Sequence, residues 1–412
     1  LRGAATWKDT WRLPLAVALL IAMVGAATAQ FLFTRAVQPY GLFVHRLVGL
    51  DYNYFILRSN YVTNGFVRRG LIGAIATLLG AMREPDGLIA LQTAMAAWLA
   101  VPLIVLLRRL SLIDFRMAIY FGLVALASPQ MFLAWGGDVG RPDMFTCGIL
   151  GWALIATLAN RYVLAAALLL VGSLAHETAI IYGVPLCATF GFLDWRGDRG
   201  LARRGVAVLV GLGASLVLIS LAQRAFSPSD AVIARTIVDG HPEDDLRVWA
   251  AYMAVGGVRT LLGSACVSFA RPATGLYLFG CLMVWAAYSL VLLVRSRLAL
   301  LSLTVASLAP LAAMCLLAID YGRWLEISVT SAWLAAVGLR VRGFEVAAPT
   351  RTDYGWGVGA LVALLAMGPT KVPDPNWASE RLARLLWPHA NQTLGSMDRC
   401  DPGWRSVGLG RR

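Results

Sequence analysis

Apolar residues in this chain come in long continuous runs, not in the strict alternation of a half-buried strand. Leu13 to Phe33, Leu88 to Leu107, Thr274 to Val294 and Leu298 to Ile319 each have about the 20 residues needed to cross a hydrocarbon core. Shorter runs recur at Met117 to Ala134, Met144 to Ala159, Val206 to Ala222, Leu325 to Leu339 and Gly357 to Met367. A bilayer offers no water to an open strand edge, and continuous runs do not fit a barrel wall, so the pattern predicts helices.

The polar breaks set the expected topology. Arg2, Lys8 and Arg12 precede the first run, which is longer than a signal-peptide core and is read as a retained helix. The positive-inside rule then places the N-terminus in the cytoplasm. Leu71 to Met82 is too short for an ordinary span and reads as interfacial or re-entrant. Tyr162 to Phe192 is too long for one crossing, with His176-Glu177 near its middle, so it reads as a hairpin of two short or tilted helices. That hairpin returns the basic segment Asp194 to Arg204 to the cytoplasm, as Arg108-Arg109, Arg295/Arg297 and Arg340/Arg342 do for their own loops.

The expected fold is all-α: a polytopic transmembrane bundle of about 10 to 11 membrane helices, counting short or re-entrant ones. It has one membrane domain over residues 1–368, with external loops at 35–70 and 223–273. An external tail, 369–412, carries Trp377, Leu382, Leu385 and Leu386 at the spacing of an interfacial amphipathic helix.

Composition agrees with this reading: 58% of the 412 residues are hydrophobic and 14% are charged. The net charge of +13 suits anionic headgroups, and nucleic acid is not implied. The six cysteines are scattered without the CxxC spacing of a metal or redox pair, and are assigned to packing. His241-Pro-Glu-Asp-Asp245 reads as a solvated acidic loop.

Candidate chemistry comes from ionisable groups beside apolar runs, which are costly there unless paired or hydrated. Trp135 to Met144 carries Asp138, Arg141 and Asp143; Asp320-Tyr-Gly-Arg323 repeats the Asp-x-Gly-Arg pattern; Arg68-Arg69 enters an apolar run; His176-Glu177 interrupts another. The topology places all of them on the external side. A local ion pair closing a glycine-containing turn is the plainer reading of Asp138 with Arg141 and of Asp320 with Arg323. The functional one has Arg141 and Arg323, helped by Arg68 or Arg69, clamping a diphosphate through their planar forks. Asp138, then Glu177, would serve as general base, with His176 a proton carrier or ligand. Oxygen ligands from Asp138, Asp143, Glu177 and Asp320, with His176, would also suit a divalent cation such as magnesium or manganese, although no spacing demands one.

This arrangement resembles the multi-helix membrane glycosyltransferases of the GT-C class and the related polysaccharide polymerases. Asp138, Asp143 and Glu177 match the acids those enzymes place at outward helix ends, and Arg141 and Arg323 look like the polymerases' phosphate-binding arginines. The chain departs from them in having no Asp-Asp or Glu-Asp pair after its first helix, where Asp51 is the nearest acid. The resemblance implies transfer of sugar from a polyprenyl-phosphate-linked donor to a saccharide acceptor at the outer face of the cytoplasmic membrane. A transporter or flippase, with Asp138, His176, Glu177 and Asp320 relaying ions, is the first alternative. A non-enzymatic envelope assembly subunit is the second.

Overall fold

The computed structural model describes residues 55–407, apart from 82–84, 132–141, 257, 272–273, 319, 345–348 and 368–392, and only scattered positions within 196–224. The first apolar run, Asp51, Asp138, Arg141 and the amphipathic stretch of the tail lie outside the described residues. The described residues are helical throughout, with no strand among them.

In chain order the helices are α1 (Tyr61–Asn64), α2 (Gly70–Leu78), α3 (Pro85–Ile113), α4 (Phe115–Ala127), α5 (Asp143–Leu158), α6 (Tyr162–Ala175) and α7 (Thr178–Trp195). Next come α8 (Asp230–Val238), α9 (Asp245–Val255), α10 (Val258–Ala270), α11 (Thr274–Val291), α12 (Arg297–Leu303), α13 (Ala309–Leu317), α14 (Tyr321–Val341), α15 (Arg351–Met367) and α16 (Thr393–Cys400). Among the described residues, three helical stretches are long and apolar enough to cross a membrane: Ala90–Ile113, Thr274–Val291 and Arg297–Leu317. The third joins α12 and α13 through a π-turn at Thr304–Leu308.

Local sequence explains where helices begin. The Asp114, Ser296 and Asp244 side chains accept from the backbone N–H of Met117, Ala299 and Leu246, capping α4, α12 and α9. The run from Tyr162 does break at His176-Glu177, into α6 and α7. Asn160, in the left-handed region, turns α5 into α6. The segment after Arg69 forms only the nine-residue α2, about 13 Å by the helical rise, which is too short for a crossing.

The hub is α14, buried at every residue from Tyr321 to Arg340 and packed by α3, α5, α7, α11 and the α12–α13 pair. Glycines let these helices approach closely: a Cβ at Gly338 would lie 2.6 Å from the Phe190 ring, and one at Gly151 2.8 Å from Pro102. Ser331 and Ser328 on α14 donate to the carbonyls of Ala306 and Ser307, joining it to the π-turn. At the far end of α14, the Arg340 fork donates to the Leu292 and Leu293 carbonyls, and the Tyr120 hydroxyl to that of Val291. These bonds satisfy backbone acceptors that the end of α11 would otherwise leave open.

A second, smaller core lies beyond the other end of the bundle. It joins Phe55 and Val67 to Ile233, Ile237, Trp249 and Tyr252 of α8–α9, and to Met397 and Trp404 of the tail. The 223–273 loop and the tail therefore share one lobe. A disulfide between Cys266 and Cys400 links them, which corrects the assignment of those two cysteines to packing. Their separation of 134 residues leaves no local spacing to read. Cys147, Cys187, Cys281 and Cys315 are buried thiols, as assigned.

Candidate functional site at the junction of bundle and lobe

Four helices of the bundle, α2, α5, α7 and α14, begin at the end that meets the lobe. The partial positive charge of their N-termini converges there. Three carboxylates sit at these starts: Asp143 in the first turn of α5, Glu177 just before α7, and Asp320 just before α14.

Glu177 holds Arg68 and Arg69 together. Arg69 Nε donates to Oε2 at 2.7 Å, and the terminal nitrogens of both arginines bond Oε1. Arg69 has φ 58°, a left-handed conformation unusual for a residue with a side chain, so this doubled contact holds a disfavoured backbone. The cluster is open, with 34% of the Arg68 and 35% of the Glu177 side chain exposed. From the lobe side it meets Gly256 at φ 72°, where an added Cβ would lie 2.5 Å from Arg68 Nη1.

The second cluster is deeper. Arg323 presents its fork to buried Asp143, with Nη2 to Oδ1 at 2.8 Å and Nε to Oδ2, while Nη1 reaches Asp320 at 3.4 Å. The local Asp320–Arg323 pair expected from the sequence is thus present, but the fork itself goes across to α5. Arg323 also lies over the Trp324 ring, 4.8 Å from its centroid.

His176 joins the two clusters. Its ring centroid is 6.1 Å from that of Trp324, and Nδ1 is 3.7 Å from Glu177 Oε2. The Thr178 backbone N–H donates to Nδ1 at 3.2 Å. A backbone N–H can only donate, so Nδ1 accepts and the neutral ring carries its proton on Nε2.

Of the sequence-derived candidates, Arg68, Arg69, His176, Glu177, Asp143, Asp320 and Arg323 meet at one end of the bundle. Asp138 and Arg141 lie outside the described residues. Two further charges were not singled out. Arg271 is fully buried beside α11, 4.9 Å from the Tyr277 ring centroid and 5.9 Å from that of Tyr321. Glu326 is buried one turn beyond Arg323. A lone Glu between Leu325 and Ile327 was the available signal for Glu326. Arg271 gave none beyond its place before an apolar run.

No protein-family model matches the chain, and neither a curated protein nor a solved structure is similar to it. The chemistry therefore rests on this geometry. Among the described residues no three His, Cys, Asp or Glu side chains gather as a cation site. Glu177 and Asp143 each engage arginine with both oxygens, so these residues do not fit a divalent cation as they stand.

The lobe carries its own exposed ion pairs. Arg259 binds Asp401 through both terminal oxygens, at 2.8 and 2.6 Å, and Arg405 binds Asp398 and Asp245. Hydrogen bonds from those arginines hold the Asp401 and Asp398 carboxyls below the usual carboxylate range. The acidic segment before α9 is spent structurally: Asp244 caps the helix and Asp245 pairs with Arg405.

Proposed function

We propose that this chain is an integral membrane glycosyltransferase of the GT-C kind. It would take sugar from a polyprenyl-phosphate-linked donor at the outer face of the cytoplasmic membrane, with a saccharide as acceptor. The observation that carries the reading is the open Arg68–Arg69–Glu177 cluster at an end of the bundle where four helix N-termini converge. Guanidinium forks suit phosphate oxygens, and helix N-termini favour negative charge. The full architecture in this reading is a bundle of about 10 to 11 membrane helices with the N-terminus cytoplasmic.

Two features support the outward orientation. Disulfides persist in oxidising compartments, and the Cys266–Cys400 bond ties the 223–273 loop to the tail on one side. The opposite end of α14 carries Arg340 and Arg342, basic residues of the kind that stay in the cytoplasm.

In this reading Arg68, Arg69 and Arg323 bind the donor phosphate and stabilise the charge it gains as the sugar leaves. Glu177 holds the first two guanidiniums in place and Asp143 the third. Bonded to two arginines, Glu177 is a poor proton acceptor, so the role of base toward the acceptor hydroxyl falls to Asp138. Purified protein incubated with a radiolabelled polyprenyl-phosphate-linked sugar should release free polyprenyl phosphate and move the label to acceptor. Arg69→Lys, which keeps the charge and loses the fork, should slow this at least tenfold. No donor consumption by well-folded protein across a panel of lipid-linked sugars would refute the proposal.

One observation favours a transporter as the second reading: the π-turn in the Arg297–Leu317 span packs against α14, which carries buried Glu326. A π-turn within a helix often marks a functional site, and an intramembrane acid beside it suits an ion-coupled carrier. Ion-driven uptake into proteoliposomes, lost in Glu326→Gln, would establish that reading in place of the first.

A further inference from the structure

The two rings that join the arginine clusters each carry a buried N–H group without an acceptor among the described residues: His176 Nε2 and Trp324 Nε1. His176 is 1% and Trp324 3% exposed, so water does not meet these groups from the surface. Both are donors. The indole nitrogen can only donate, and Nδ1 of His176 is already an acceptor for Thr178, which leaves the proton on Nε2.

Buried donors lacking a partner are rare because each carries an uncompensated desolvation cost. Here two such donors belong to neighbouring rings, 6.1 Å apart between centroids. One ring lies against the Arg323 guanidinium, and the other is adjacent in sequence to Glu177, which binds Arg68 and Arg69. An anionic oxygen entering here would meet guanidiniums on both sides, paired at rest with Glu177 and with Asp143 and Asp320, and could share them while it accepts from the two rings.

We propose that His176 Nε2–H and Trp324 Nε1–H form a neutral two-donor subsite for a phosphate oxygen, which enters beside Glu177 as the rings part to admit it. His176 is then a fixed hydrogen-bond donor to the ligand and does not carry a proton through the reaction. The inference rests on the phosphate-donor reading above and adds the residues that would grip the oxygen at the inner side of the arginines.

The test measures binding and stability together, in detergent-purified full-length protein. The probes are a short-chain prenyl phosphate and inorganic phosphate, each titrated by calorimetry. Trp324 is replaced by benzothienylalanine, an isostere with sulfur in place of the N–H. His176→Gln keeps a donor near the Nε2 position, and His176→Phe removes it. The expected result is a loss of affinity of about tenfold for benzothienylalanine and for His176→Phe, against about threefold or less for His176→Gln. The benzothienylalanine protein should unfold at the wild-type temperature or above, because a buried donor without a partner has been removed. A purely structural role predicts the reverse, a lower unfolding temperature with unchanged affinity.

Weakening toward both probes assigns the subsite to phosphate itself; weakening toward prenyl phosphate alone assigns it to a lipid-borne phosphate. Either supports the inference. Wild-type binding that neither benzothienylalanine nor His176→Phe alters overturns this subsite and leaves the donor class standing. Failure of the wild type to bind either probe overturns both.

Discussion

The pairing of Asp143 with Arg323 makes a prediction whose sign changes between single and double variants. Asp143 is fully buried and the Arg323 side chain is 8% exposed, so each ion depends on the other for solvation. Removing one member of such a pair strands the other, at a cost of about 3–5 kcal/mol. For Asp143→Leu the lower end applies, about 3 kcal/mol, because Asp320 stays 3.4 Å from Arg323 Nη1. Arg323→Leu should cost more, toward the upper end at about 5 kcal/mol, since the Asp143 carboxylate keeps only the modest help of the α5 N-terminus.

The double variant strands no charge, and apolar replacement of a whole buried pair is often close to neutral. It should be more stable than either single variant, with a coupling of at least about 2 kcal/mol. Equilibrium unfolding in mixed micelles, titrated with sodium dodecyl sulfate and followed by circular dichroism, would measure all four corners of the cycle. Single costs under about 1 kcal/mol, or a double-variant cost equal to the sum of the singles, would refute the buried pair and with it the register of α5 against α14.

Glu177→Gln should raise affinity for inorganic phosphate several-fold, as two guanidiniums are released from a carboxylate, while slowing transfer; calorimetry and donor-release rates would check the split. Gly256→Ala should perturb Arg68 and reduce activity, whereas Gly240→Ala, with a similar φ of 75° and open space around it, should leave activity near wild type. Cys266→Ser should loosen the tail, with a loss of at most about 5 kcal/mol from the loop-entropy relation for 134 residues, read as faster proteolysis near residue 400. Acid should loosen the tail as well. Asp398 and Asp401 titrate below their unfolded value of 3.8 in the folded lobe, so their contribution is full above about pH 4 and lost as pH falls through the lower folded values. Both pairs are exposed, so added salt should shrink that effect.

Run length alone exposed much of this architecture. Tyr162 to Phe192 exceeds one crossing, and the only polar pair within it is where α6 gives way to α7. Alternation of basic loops then put His176-Glu177, Asp143 and Asp320-Arg323 at one end, where they meet. Pairing was less legible. Asp320 is three residues from Arg323 and dominates any local reading, yet the fork goes to Asp143, 180 residues away. Arg68 and Arg69 meet Glu177 over more than 100 residues in the same way. Such partners depend on how helices rotate about their axes, which apolar runs hydrophobic all round do not specify. The shared lobe was hidden for another reason: its core is divided among three segments, each too short to suggest a domain alone.

That division bears on how the site is held. Phe55 and Val67 belong to the lobe's core, and Val67 immediately precedes Arg68, so the backbone leading to the outer arginines is set by the lobe while Glu177 holds their guanidiniums to the start of α7. Further ties reinforce this: Asn64 donates to Thr236 on α8, and the Ser227 hydroxyl donates to the Phe66 carbonyl. Asp143 and Arg323, by contrast, are fixed by α5 and α14 inside the bundle. A shift of the lobe would therefore pull Arg68 and Arg69 against their bonds to Glu177 without disturbing the inner pair. The two halves of the proposed phosphate site would separate along the line that His176 and Trp324 occupy. The bonds from Arg68 and Arg69 to Glu177 oppose that separation, so the ion pair at the start of α7 and the packing of the lobe together set the spacing between the arginines.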